Sequence, residues 1–123
     1  MKNNIKSELP SGNIIPISQY LIVGNFIFIS GQGPLEVKTH KILGEDISEQ
    51  TKVTIINIKN ILESVGSNLG KVIKINAYLS DINDFEKFNE VYKRFFNEPY
   101  PTRTTVGCFL KDIKIEIDAI AQK

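Results

Sequence analysis

Two residues near the end of the chain could do chemistry together, Arg103 and Glu116. A guanidinium is a planar fork that grips a carboxylate through two hydrogen bonds. A glutamate close by can carry protons. Both lie in stretches that alternate apolar and polar residues. In the last stretch Ile113, Ile115, Ile117, Ala119 and Ala121 fall on one side. Lys114, Glu116, Asp118 and Gln122 fall on the other, with Ile120 among them. In the stretch before it, residues 104–110, Val106, Cys108 and Leu110 form the apolar set, and Arg103, Thr105 and Gly107 alternate with them. If the two strands pair as a hairpin, Arg103, Thr105 and Glu116 share one polar sheet face and make an anion site with a proton carrier. An ordinary cross-strand ion pair, worth little when exposed, fits the same spacing at least as well.

The other reactive residue types point elsewhere. His40 is the only histidine and falls in a predicted loop without clustered ligands, which suits solvent better than a metal. Cys108 falls with the apolar set and reads as packing. Ser30 has no histidine near it in sequence to complete a hydrolase triad. Ser30-Gly-Gln-Gly-Pro34 is too short for a phosphate loop and lacks its lysine, so a tight turn is the reading. Asp81, Asp84 and Glu86 read as helix capping, and the aromatic stripe at 85–95 as core.

The elements that must position these residues follow from periodicity. Leu21–Val23 and Phe26–Ile29 read as two short strands around a Gly24-Asn25 turn. Residues 35–45 read as a loop. A helix then starts at Asp46, with Glu49 three residues on as in a capping box, and Gly66 is its natural stop. Ile55, Ile58, Leu62 and Val65 form its apolar stripe. Val72–Leu79 alternates as a strand, with Ile73, Ile75, Ala77 and Leu79 toward the core. A second helix runs from about Asp84 to Phe96, striped by Phe85, Phe88, Tyr92 and Phe95, with Pro99 beyond its end. The expected order is strand, strand, helix, strand, helix, strand, strand. This predicts an α+β fold, a sheet with two helices on one face. Its opposite face is left open, which points to an oligomer.

The bulk properties bound the partners. The 123 residues suit one domain, and 41% hydrophobic with 24% charged suits a folded one. A net charge of +1 gives no reason to expect nucleic acid or an anionic membrane. No segment is long enough to span a bilayer, and the start of the chain lacks the apolar stretch of a signal peptide. A single cysteine allows no disulfide within the chain. A reducing, cytoplasmic setting is the expectation.

With these residues laid out, the chain resembles the Rid proteins, the RidA/YjgF-like enamine and imine deaminases, over almost its whole length. Ile29-Ser-Gly-Gln-Gly-Pro34 is similar to the family's S-G-Q-x-P. Gly44–Thr51 is similar to the start of its first helix. Asp81–Phe85 with Asn89–Tyr92 resembles the second helix, Pro101-Thr-Arg103 to Val106 its P-x-R-x-x-V, and Ile115–Ala121 its closing strand. The order and spacing of these motifs carry the likeness. It implies a chorismate-mutase-like fold and a homotrimer with three clefts between subunits. It further implies hydrolysis of 2-imino acids to 2-oxo acids and ammonia, with no metal and no organic cofactor. In that resemblance Arg103 matches the carboxylate-binding arginine and Glu116 the acidic residue. Ser30 and Gly31 match the cleft wall, and Asn89 the helix asparagine. Two positions depart from it. Ile17 stands where the family commonly has a cleft tyrosine, which removes a hydroxyl and adds an apolar wall. Thr105 stands where many members have cysteine. A binding module for 2-oxo acids, without turnover, is the alternative these changes motivate. An RNA-cleaving translation inhibitor is a third reading, which the near-neutral charge and the single histidine speak against.

Overall fold

A computed structural model describes residues 3–8, 12 and 14–123. Its elements are β1 (Asn3–Glu8), β2 (Ile14–Val23), β3 (Phe26–Gln32), α1 (Ile47–Ser64), β4 (Val72–Leu79), α2 (Phe85–Phe95), β5 (Thr102–Gly107) and β6 (Ile115–Gln122). The six strands form one mixed sheet in the order β1-β2-β3-β6-β4-β5. Both helices cover one face, α1 packing on α2, β6 and β3. β1 is an element the sequence did not announce. Its residues, Asn-Asn-Ile-Lys-Ser-Glu, have little strand character, and it exists as a partner for β2.

α1 is rich in β-branched residues, which disfavour a helix by about 0.5 kcal/mol each. Burial outweighs this, because Ile47, Thr51, Thr54, Ile55, Ile58, Ile61 and Leu62 are all buried. A fully buried aliphatic side chain gains about 1.5–3 kcal/mol. The predicted cap is present: Asp46 accepts from the Glu49 amide at 2.9 Å. Glu49 reaches back to the Glu45 amide at 2.9 Å, one residue before the position a capping box uses. Gly66 takes φ +82° beyond the helix end, where a side chain would be strained.

Three expectations are corrected. Ile73 is exposed, because a register shift between Val72 and Lys74 turns Val72 into the core instead. Phe85 is also exposed, so the buried stripe of α2 is Phe88, Val91 and Tyr92, with Phe96 following it.

The third correction moves the site. β5 and β6 do not form a hairpin. β5 pairs parallel with β4, and β6 lies between β3 and β4. The reason is in the side chains. Ile115, Ile117, Ala119 and Ala121 of β6 are at most 2% exposed, which only a central strand allows. β5, Thr-Arg-Thr-Thr-Val-Gly, has little to bury and takes the edge. Val106 therefore lies opposite Tyr78 and is exposed, while Cys108 and Leu110 fall beyond the end of the strand. The Cys108 amide bonds Leu79 O at 2.9 Å, and its side chain is half-buried rather than part of the core.

Candidate functional site

Register fixes where the two key side chains point. Arg103 and Thr105 lie beside Ile75 and Ala77, both fully buried on the helix side. Glu116 and Asp118 lie beside Tyr78 and Asn76, on the open side. Arg103 and Glu116 are thus separated by β4, roughly 10 Å across two strand spacings, and face opposite ways. The expected shared face does not exist within one chain. The structure instead shows two separate clefts.

The first is a cleft of about 470 Å³ lined by Asn89, Tyr92, Lys93, Tyr100, Pro101 and Arg103. Asn89, Tyr92 and Lys93 are three and four residues apart on α2, so they share a helix face. The Arg103 guanidinium lies over three rings of that helix. Its Cζ is 4.6 Å from the Tyr92 centroid, 5.0 Å from Phe88 and 5.7 Å from Phe85. Such contacts contribute about 0.5–2 kcal/mol each and hold the guanidinium against the helix. Among the described residues Arg103 has no salt-bridge partner, the one recorded pair being Lys59–Glu63. Burial pushes the Tyr92 phenol above its usual range, and the neighbouring guanidinium opposes this. Thr105, two residues on, has a buried hydroxyl without a hydrogen-bond partner and does not line the cleft.

The second surrounds Ser30 and Gly31. A cleft of about 380 Å³ is lined by Ser18, Leu21, Phe28, Ile29, Ser30, Gly31 and Asp118. Glu116 sits against Gly31 so closely that a Cβ there would lie 2.6 Å from Oε2. The absence of a side chain at Gly31 is what lets the carboxylate lie this close. The segment is tied down from three sides. The Ser30 hydroxyl donates to Ser18 O at 2.6 Å, and Gln32 Nε2 donates to Ser30 O at 3.0 Å. Asn57 of α1 donates to both Gly33 O and Leu35 O at 3.0 Å. Burial first, and the charge of Asp118 second, raise the Glu116 carboxyl above its ordinary range. A raised carboxyl exchanges protons closer to neutral pH, as general acid–base catalysis requires.

Arg103 and Asn89 line the first cleft, Ser30 and Gly31 line the second, and Glu116 lies against Gly31. Ile17 is half exposed on β2 and lines neither. His40 takes φ +58° in the loop between β3 and α1 and also lines neither. The sequence reading passed over Lys93 and Tyr100 of the first cleft and the contribution of Asp118 to the second. The i, i+4 spacing from Asn89 was the signal for Lys93. No signal marked Tyr100. Among the described residues no group of three or more His, Cys, Asp or Glu could hold a metal, and no helix is long and apolar enough to cross a membrane.

An α+β sheet with an unpaired arginine cleft on one side and a glycine-lined carboxylate on the other defines a class of small ligand-handling proteins. Residues 10–123 match the family model described as Endoribonuclease L-PSP. The chain is 48% identical to a RutC family protein of Pyrococcus abyssi, covering 99% of this chain and 98% of that one. It is 34% identical to the 2-iminobutanoate/2-iminopropanoate deaminase of Dermatophagoides farinae, covering 97% and 94%. The crystal structure of E. coli TdcF with bound serine superposes with a TM-score of 0.84 at 38% identity, covering 100% and 99%. The chain belongs to the RidA/YjgF-like family of Rid, RutC and TdcF proteins.

Proposed function

We propose that the chain is a hydrolytic deaminase of reactive 2-imino and enamino acids, releasing 2-oxo acids and ammonia, and that its active centre forms between two copies. Arg103 of one copy grips the substrate carboxylate, with Asn89 beside it. Glu116, Ser30 and Gly31 of the neighbour complete the cleft. Backbone groups near Gly31 and Thr105 orient the C=N bond. Water adds to the imine carbon while Glu116 takes its proton. With the imine entering protonated on nitrogen, this addition gives the neutral carbinolamine; Glu116 then returns its proton to that nitrogen, and as the C–N bond breaks the carbinolamine hydroxyl passes its own proton to Glu116, leaving the ketone and ammonia. The open sheet face, with Phe26, Phe28, Val23 and Val106 exposed, suits packing against further copies, and a homotrimer is the closed form proposed.

The observation that carries this reading is Arg103, stacked on three rings in a cleft with its hydrogen-bonding edge unpaired by any described carboxylate. Relatives whose names state an imine deaminase and a bound amino acid support a small carboxylate there. The test generates imines in place with an amino-acid oxidase and traps the unhydrolysed fraction with semicarbazide. The protein should divert imine from the trap. Arg103→Ala should lose about 2–5 kcal/mol of transition-state binding, roughly 30- to 5,000-fold in kcat/KM. An Arg103→Ala protein as active as the parent would sink the mechanism.

The serine held by TdcF also suits a second reading, a binding module for 2-oxo or amino acids. Calorimetric binding of 2-oxobutanoate with no acceleration of imine hydrolysis would favour it. The ribonuclease activity in the family model's description fits less well. The cleft offers a phosphate chain one arginine and one lysine, and the net charge is only +1.

A further inference from the structure

Asp118 lies two residues after Glu116 on β6 and faces the same open side. Its carboxylate is fully engaged from β4. Asn76 Nδ2 donates to Oδ1 at 3.0 Å, and the Tyr78 hydroxyl donates to Oδ2 at 3.1 Å. Both contacts are part-buried, and register makes them specific: Asn76 is the direct cross-strand partner of Asp118, and Tyr78 that of Glu116. Two donors, one on each oxygen, fix the carboxylate in place.

We propose that Asp118, pinned by Asn76 and Tyr78, is a positioning residue that holds a fixed negative charge beside the acid–base group Glu116, two residues along the same strand face. Its role rests on the proposed function only for the word catalysis; the interaction itself is independent of it. The groups facing Glu116 can be named from each side. On its own strand this is Asp118, with Lys114 one residue before the strand begins. From β4 comes Tyr78, whose phenol is raised by its bond to Asp118, by burial, and by the charges of Asp118, Glu116 and Cys108. From β3 come Ser30 and Gly31, which carry no charge. Arg103 is on the other face of the sheet and does not offset Asp118 within one chain. Of these groups, Asp118 is the charge that acts on Glu116 in the direction of holding its proton.

The chemistry needs this. A glutamate at its ordinary proton affinity is a weak base for water. A neighbouring anion that cannot swing away makes it a stronger one. If Asp118 were free, it would turn toward solvent and the effect would be screened. Asn76 and Tyr78 prevent that.

The test is a carbon-detected NMR titration of the carboxyl groups in the full-length protein, with the pH profile of imine hydrolysis measured alongside. Asp118→Asn removes the charge but keeps the shape, since the amide oxygen still accepts from Asn76 and the amide nitrogen donates to the Tyr78 oxygen. The Glu116 titration should move to lower pH, and the acidic limb of the pH–rate profile should move with it. Asp118→Glu restores the charge and should return both toward the parent. A Glu116 titration unmoved in folded Asp118→Asn overturns the inference. A parent protein inert toward every imine overturns the proposed function and leaves this inference to be decided by the carboxyl titration alone.

Discussion

Gly31→Ala separates the chemistry of the site from the stability of the fold. A Cβ at this position would lie 2.6 Å from Glu116 Oε2 and 2.8 Å from Cδ, where ordinary contact begins at 3.4 Å. The carboxylate must retreat by about 0.8 Å, by the shortfall in that contact. It is the far end of a flexible side chain, so it can move without disturbing the sheet. Gly31 is not among the glycines with positive φ, so alanine meets no backbone strain. The loss of unfolded-state freedom even favours the variant by about 0.4–1 kcal/mol. A misplacement of about 1 Å in a catalytic group costs about 100-fold in rate, or roughly 2.7 kcal/mol of transition-state stabilisation. The expected result is a urea midpoint at or slightly above the parent's, with kcat/KM for imine hydrolysis lowered about 100-fold. The assay is semicarbazide competition at saturating oxidase, with urea denaturation on the same preparation. A folded Gly31→Ala protein with parental kcat/KM would refute the placement of Glu116 at the reacting atoms.

Two further outcomes follow from the geometry. Arg103→Lys keeps the charge but loses the fork and its stacking over Tyr92, so KM for the imino acid should rise far more than kcat falls; equal losses in both would contradict a carboxylate-gripping role. Glu116 is raised in the folded chain, so its ionisation opposes folding at neutral pH, and this opposition disappears as pH falls through the folded value toward the ordinary 4.5. Stability measured against Glu116→Gln should therefore rise for the parent as pH is lowered over that window, and a parent that instead loses ground to the variant would reverse the sign of the shift.

Much of the fold could be read from side-chain alternation and caps. β6 shows it best, since isoleucine and alanine at every second position leave Glu116 and Asp118 only one side to occupy. Asp46 and Gly66 likewise bound α1 because caps are local. Partner choice is not local. Nothing in Thr102–Gly107 says whether it joins β6 or β4, and the competition is settled by which strand most needs a central position. That one choice moved Arg103 to the helix side. Ile73 was misplaced because a register shift reverses the faces of a strand without changing its sequence pattern. The approach of Gly31 to Glu116 joins residues far apart in the chain, and no spacing rule reaches it.

The central claim is that Arg103 and Glu116 act on one substrate from two different copies. Mixing Arg103→Ala with Glu116→Gln tests it most directly. Each variant alone should lose most of its activity. Unfolded together in equal amounts and refolded, they should place an intact Arg103 against an intact Glu116 at one interface in four, restoring about a quarter of parental activity by random assembly. Recovery near that level is the predicted result. A co-refolded mixture as inactive as its components would contradict the shared site.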